Sequence, residues 1–155
     1  MKKIIYILSA VLCLLTSCEK ELTLADKLVG DWHCTATSTD AEIYVRFTAE
    51  KTFTLWQQIG EGAFRVYNGT YDLNTETPLA HESSVARTLL TGKYNDGTPW
   101  GTSYEMDLQG TEVMTLTAEG VVETYNKIKG GIPKEVLESA VTVVKSGCTD
   151  SAPFL

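Results

Sequence analysis

The sequence predicts an all-β protein: an eight-stranded antiparallel up-and-down barrel with one C-terminal helix. Apolar and polar residues alternate with a period of two in many short segments, and turn residues divide these segments at intervals of about ten. The chain has 155 residues, of which 43% are hydrophobic, enough for one domain with a real core. Consecutive strands with short connections favour closure, because a barrel has no exposed edges. A two-sheet sandwich is the alternative.

Residues 1–17 are not expected to belong to the fold. Met1-Lys2-Lys3 is a cationic segment, and Ile4–Leu15 is an apolar run of 12 residues. A membrane-spanning helix needs about 20 apolar residues, so this pattern predicts a signal peptide. The segment Leu15-Thr16-Ser17-Cys18 then resembles the lipobox of bacterial lipoproteins. In that family the cysteine is acylated and becomes the mature N-terminus, which implies lipid attachment at Cys18. The alternative is a general secretory signal in which the cysteine is incidental.

Cleavage would change both size and charge. Removing 17 of the 155 residues leaves 138, and losing Lys2 and Lys3 takes the net charge from −7 to −9. An acidic chain is a poor match for nucleic acid, because Lys and Arg neutralise phosphates. Acyl chains would have to hold it at a membrane. We therefore expect an outer-membrane lipoprotein of the cell envelope, periplasmic or surface-facing, with no nucleic-acid partner.

The mature chain divides into three parts. A tether is predicted over 18–27, the barrel domain with its helix over 28–148, and a tail over 149–155. Alternation and turn residues give eight strand candidates, at 30–38, 43–48, 53–59, 64–73, 85–94, 102–108, 111–118 and 121–128. The segment Asn74–Ser84 lacks such a pattern and is predicted to be the longest loop.

One helix is predicted near the C-terminus, packed on the outside of the sheet. Pro133 suits a first helical position. Apolar residues then recur with a helical period, at Val136, Leu137, Ala140, Val141 and Val144.

The opening strand carries a family resemblance. Leu28-Val29-Gly30-Asp31-Trp32 resembles the Gly-x-Trp strand of lipocalins and the wider calycin barrels. Further segments that resemble bacterial lipocalin-like lipoproteins are 47–53, 69–71 and 91–100. The resemblance covers about residues 28–130. It implies an eight-stranded barrel with Trp32 packed across one end, where Lys127 or Lys129 stands in place of the family's arginine.

The four cysteines are expected to have separate fates. Cys13 leaves with the signal peptide and Cys18 carries lipid, so Cys34 and Cys148 remain in an oxidising compartment, where two thiols are more often paired than free. A disulfide would close a loop of 114 residues between positions 34 and 148, worth up to about 4–5 kcal/mol. A reactive thiol beside His33 is the weaker alternative. No zinc spacing is present, and no metal is expected.

The resemblance also places residues on the inner face. With Phe47, Phe53 and Tyr71 inward, alternation brings further side chains inward as candidate ligand-binding residues: Val45, Leu55, Tyr67, Tyr104 and Met106. A barrel of eight strands can hold one small ligand or be filled by its own side chains. The predicted function is binding or sequestration of a small, partly apolar ligand. The alternative is a filled barrel that serves as a structural or protein-interaction module of the envelope, with an unknown protein partner.

Catalysis, cofactors and a phosphate loop are not predicted. The sequence contains two histidines, His33 and His81, but no Gly-x-Ser-x-Gly motif that would supply a serine nucleophile for a histidine base. Gly60-Glu61-Gly62 is predicted in a hairpin turn with no following helix, so it does not match a phosphate-binding loop. Asp150-Ser151-Ala152 resembles a three-residue O-glycosylation motif of bacteria with this lipoprotein type, which implies glycosylation at Ser151. An unmodified tail is the alternative.

Overall fold

A computed structural model of the chain describes residues 21–36, 40–76 and 86–142. Each strand pairs antiparallel with the next along the chain, and the last pairs with the first, so the sheet closes into an up-and-down barrel. The strands are β1 Gly30–Ala36, β2 Ala41–Phe47, β3 Thr52–Ile59, β4 Arg65–Glu76, β5 Arg87–Tyr94, β6 Tyr104–Gln109, β7 Val113–Ala118 and β8 Val121–Lys127. The predicted fold class is confirmed.

A short helix precedes the barrel. Helix α1 spans Leu24–Leu28 and starts with a capping box, in which the Thr23 hydroxyl accepts from the Asp26 backbone N–H while the Asp26 carboxylate accepts from the Thr23 backbone N–H. The expected tether 18–27 is therefore partly helical, because this local capping and the burial of Leu28 both favour a helical turn.

The predicted C-terminal helix is present and shorter than expected. Helix α2 spans Lys134–Ser139, and Ala140 is already extended. A two-residue strand β9, Val141–Thr142, then pairs in parallel with the start of β4. Residues 128–142, which we name the C-terminal strap, cross the outside of the barrel. There Ile132 and Val136 pack on Trp56, whose side chain points outward from β3.

The barrel has two distinct ends. At the first end lie α1, the β2–β3 turn, the β6–β7 turn and the last residue of β8. At the second end lie the β3–β4 and β7–β8 turns, the β5–β6 connection and β9. We name the first the closed end and the second the open end.

Strand β4 is longer than the sequence indicated. It continues to Glu76 and pairs with the start of β5, so Asn74, Thr75 and Glu76 belong to the sheet instead of the predicted loop 74–84. The reason is tertiary: these polar residues gain their backbone hydrogen bonds from β5, which a local pattern does not reveal. Among the described residues, no helix is long and apolar enough to cross a membrane.

Candidate functional site

The five residues expected to bind a ligand lie inside the barrel and are buried. Val45, Leu55 and Tyr104 have 0% exposed surface. A side chain without exposed surface has no space for a water molecule beside it, so the interior around these residues is packed. Tyr67 and Met106 belong to the same core cluster. None of the five lines either of the cavities described below.

A loop tryptophan contributes to this packing. Trp100 follows β5, and its ring lies inside the barrel, with ring centroids 5.1 Å from Phe53 and 6.0 Å from Tyr104. The space it fills is created by Gly92, where an added Cβ would lie 2.4 Å from the Trp100 ring. Glycine at this position of β5 therefore admits the indole into the core.

Trp32 lies at the closed end, where its buried side chain packs in the core of the barrel. Its indole N–H donates to the carbonyl of Leu28 in α1 at 2.8 Å, and both side chains are fully buried. The Lys127 ammonium lies 4.9 Å from the centre of the Trp32 ring and donates to the carbonyl of Lys27 at 2.9 Å. Lys127 thus occupies the position for which the sequence offered Lys127 or Lys129. Burial lowers the pKa of Lys127, against the opposing charge of Glu112.

A cavity of about 540 Å³ lies at the open end. Its walls are the end of β3, the β3–β4 turn, the start of β4 and β9, with lining residues Gln57, Ile59, Gly62, Ala63, Arg65 and Val141. Ligand-binding cavities commonly have volumes of about 300–1,000 Å³. We name this feature the open-end cavity.

The open-end cavity combines apolar and cationic surface. Ile59 and Val141 are 58% and 57% exposed, so both present aliphatic surface to solvent. The register sets Arg65 between Gln57 on β3 and Val141 on β9. A partly apolar molecule would cover the two aliphatic side chains while a polar group of the same molecule met Arg65 or Gln57.

A second cavity of about 550 Å³ lies along the wall of the barrel over β4 and β5. Its lining is mostly hydroxyl and charged side chains, including the Lys51–Asp72 ion pair with an N–O distance of 2.6 Å. The remaining lining residues are Glu50, Thr70, Tyr71, Thr91, Gly92, Lys93, Pro99, Trp100, Thr102 and Ser103. Fewer of its lining residues are aliphatic than in the open-end cavity.

Cys34 is buried on the inner face of β1 and forms no disulfide with a described residue. It donates toward the carboxylate of Glu123 on β8, with a sulfur–oxygen distance of 3.8 Å. Burial and the charge of Glu123 raise the pKa of the thiol to about 12. The thiol therefore stays protonated at neutral pH and is a poor nucleophile. Cys148 lies outside the described residues, and its pairing with Cys34 stays a prediction.

His33 belongs to a polar cluster on the outer wall. Its Nε2 lies 2.5 Å from Glu42 Oε1, while the Thr35 and Tyr44 hydroxyls donate to the same carboxylate at 3.0 and 3.1 Å. Burial alone would raise the pKa of Glu42, but the hydrogen bonds from His33, Thr35 and Tyr44 outweigh it and hold the pKa below its ordinary value. Alternating strand geometry explains why His33 and Cys34 point to opposite faces.

Several predicted residues fall outside the described part of the chain: Cys18, His81, Cys148 and Ser151. Within that part, no group of three or more His, Cys, Asp or Glu side chains could hold a metal ion. Sequence reasoning missed the residues of the open-end cavity. The alternation of side chains along a strand could have found three of them, because Gln57 and Ile59 follow Leu55 on one face of β3 and Arg65 precedes Tyr67 on one face of β4.

Comparisons with known proteins found no matching family model, and no significant match among curated proteins or solved structures. The resemblance to lipocalin-like lipoproteins therefore stays a prediction from the motifs quoted above.

Proposed function

We propose that this protein is a lipid-anchored protein of the bacterial cell envelope that binds a small, partly apolar ligand at the open end of its barrel. One observation carries the proposal: a cavity of about 540 Å³ in which Ile59 and Val141 expose apolar surface beside Arg65. Burial of that apolar surface would supply the affinity, at about 25 cal/mol per Å² before the costs of association. No bond chemistry is required.

This places the binding site differently from the sequence-based expectation. Val45, Leu55 and Tyr104 are packed core, so a ligand in the middle of the barrel would have to displace them. The open-end cavity needs no such displacement, because its described lining residues other than Gln57 are already exposed to solvent. We therefore assign binding to the rim and not to the centre of the barrel.

The position of α1 suggests how the barrel would sit at a membrane. Cys18 lies six residues before Leu24, the first residue of α1. Because an extended chain spans at most about 3.6 Å per residue, an acylated Cys18 would hold the closed end within about 20 Å of the lipid surface. The open end lies at the other end of the strands from this attachment point.

Dye binding tests the site. N-phenyl-1-naphthylamine is neutral and fluoresces on entering apolar surroundings. We expect it to bind the wild-type protein and to bind Ile59→Asp at least about fivefold more weakly, because the charge would line the apolar wall.

Val122→Asp is the matched control for that experiment. Val122 is also a branched residue at the open end, with 56% of its surface exposed, but it does not line the cavity. Its substitution should leave dye affinity unchanged. Equal losses in both variants, or no binding by the wild-type protein, would refute the proposed site.

The anchor has its own test. Replacing Cys18 with serine should release the protein from membranes of its host into the soluble fraction. Retention of Cys18→Ser in the membrane fraction would count against acylation.

A filled barrel acting as a protein-interaction module is the second candidate. It is favoured by the complete burial of the largest interior side chains, among them Trp32, Tyr104 and Tyr125. Under this candidate the dye would not bind the purified protein at all.

A further inference from the structure

Among the described residues that line the open-end cavity, one side chain is charged. Arg65 is the ionisable one of these six residues, and four others are Gly, Ala, Ile or Val. Arg65 is exposed and makes no ion pair with a described residue. A guanidinium remains charged at all relevant pH values, so this cavity has a fixed positive charge beside an apolar wall.

The positive charge stands out because the chain as a whole is acidic, with 20 Asp and Glu against 13 Lys and Arg. At physiological ionic strength the Debye length is about 8 Å, so distant carboxylates contribute little at the cavity. Two carboxylate residues are near the cavity: Glu61 precedes the lining residue Gly62 in the β3–β4 turn, and the Asp40 carbonyl accepts from the Gly60 backbone N–H at 3.2 Å. Neither is among the described lining residues, so the charged side chain that a ligand inside the cavity would contact is Arg65. Arg65 has no ion-pair partner among the described residues, and its guanidinium can bind an anion.

The register separates the charge from the apolar surface by a short distance along the strands. Arg65 pairs with Gln57, and Ile59 lies two residues farther along the same face of β3. Val141 flanks Arg65 on the other side. A ligand whose anionic group met Arg65 would thus lay its carbon chain against Ile59 or Val141.

We infer that the ligand of the open-end cavity is an anionic amphiphile, a molecule with one carboxylate-type head group and a short aliphatic chain, and that Arg65 selects the head group. The inference rests on the proposed function and adds the charge class of the ligand. Arginine suits a carboxylate because its planar fork can donate two parallel hydrogen bonds.

Three probes with the same chain and different head groups test this inference: dodecanoate, dodecan-1-ol and dodecyltrimethylammonium. The two ionic probes are titrated below their micelle concentrations, and dodecan-1-ol below its aqueous solubility, into the full-length protein at pH 8, by displacement of N-phenyl-1-naphthylamine. We expect dodecanoate to bind about fivefold more tightly than dodecan-1-ol, and the cationic probe to bind most weakly.

Substitution of Arg65 then identifies the source of the preference. In Arg65→Gln, dodecanoate affinity should fall to that of dodecan-1-ol, whose own affinity should not change. Arg65→Lys should keep part of the preference, because it keeps the charge and loses the fork. Arg87→Gln is the matched control, since Arg87 is an exposed arginine at the opposite end of the barrel.

The outcomes separate the two proposals. Equal affinities for dodecanoate and dodecan-1-ol in the wild-type protein would overturn the inference and leave the proposed binding function standing. A preference for dodecanoate that survived in Arg65→Gln would also overturn it. Failure of all three probes to bind would overturn the proposed function itself.

Discussion

The two ends of the barrel are built in opposite ways. At the closed end Trp32 is fully buried, its indole N–H is hydrogen-bonded to α1, and Lys127 lies over its ring. At the open end Ile59 and Val141 are exposed beside Arg65. The side chains at the closed end therefore contribute to stability, whereas the exposed side chains of Ile59, Arg65 and Val141 at the open end contribute little. Exposed residues without a structural role are the ones available for binding.

The largest contrast should come from removing one large side chain at each end. Trp32→Ala should lower the free energy of unfolding by about 3–5 kcal/mol, because it leaves a buried cavity and an unpaired Leu28 carbonyl. Ile59→Ala should change it by less than about 0.5 kcal/mol, since that side chain is exposed. Urea denaturation followed by tryptophan fluorescence measures both. Similar losses at the two positions would mean that the open end is structural too.

The packing of Trp100 against Gly92 shows whether the barrel between the two ends is filled. Gly92→Ala would place a methyl group 2.4 Å from the Trp100 ring, and overpacking of this kind costs about 1–3 kcal/mol. Gly62→Ala is the control, because an added Cβ there has only an ordinary contact at 3.5 Å. Thermal unfolding of the two variants compares them. If Gly92→Ala unfolds at the same temperature as the wild-type protein, Trp100 has room to move and the interior is not tightly packed.

A smaller effect distinguishes the two lysines near Trp32. Lys127→Met keeps the apolar stem but loses the hydrogen bond to the Lys27 carbonyl and the cation–π contact, at a cost of about 1–2 kcal/mol. Lys129→Met removes only an exposed ion pair with Glu112 and should cost less than about 0.5 kcal/mol. Equal midpoints of urea unfolding for the two variants would contradict the role of Lys127 at the closed end.

The smallest effect concerns the wall that joins the two ends. The pKa of Glu42 is lowered in the folded protein, so its stabilising contribution is present above its ordinary pKa of 4.5 and is lost as pH falls through the lowered value. Glu42→Gln should lower stability by up to about 1 kcal/mol at pH 7, and the difference from wild type should vanish at low pH. Urea midpoints between pH 7 and pH 3 measure this. Glu61→Gln, at an exposed position in a turn, is the control and should show no such pH-dependent difference.

Much of the barrel could be predicted because strand alternation is a local property. In β1, Trp32 and Cys34 point inward while His33 points outward, as a period of two requires. The same alternation predicted which side chains of β2 and β6 face inward. The strand order could be predicted because strands joined by short connections usually pair with each other.

The features that define the candidate site were harder to predict, because they depend on distant parts of the chain. Val141 was expected in a helix, but it becomes β9 where the start of β4 is not covered by β5. Trp100 enters the core only because Gly92 leaves space for it. Side-chain alternation could have placed Arg65 on the inner face of β4, since it lies two residues before the inward Tyr67. Alternation alone does not show whether an inward residue lies at the exposed rim or in the filled centre of the barrel.

Methyl NMR can distinguish a ligand at the rim from a ligand in the middle of the barrel. The protein is labelled at Ile, Leu and Val methyl groups and titrated with dodecanoate while carbon–proton correlation spectra are recorded. We expect chemical shift changes at the methyls of Ile59 and Val141, with those of Val45 and Leu55 unchanged. Large changes at Val45 and Leu55, with Ile59 and Val141 unaffected, would mean that the ligand binds inside the barrel and not at its open end.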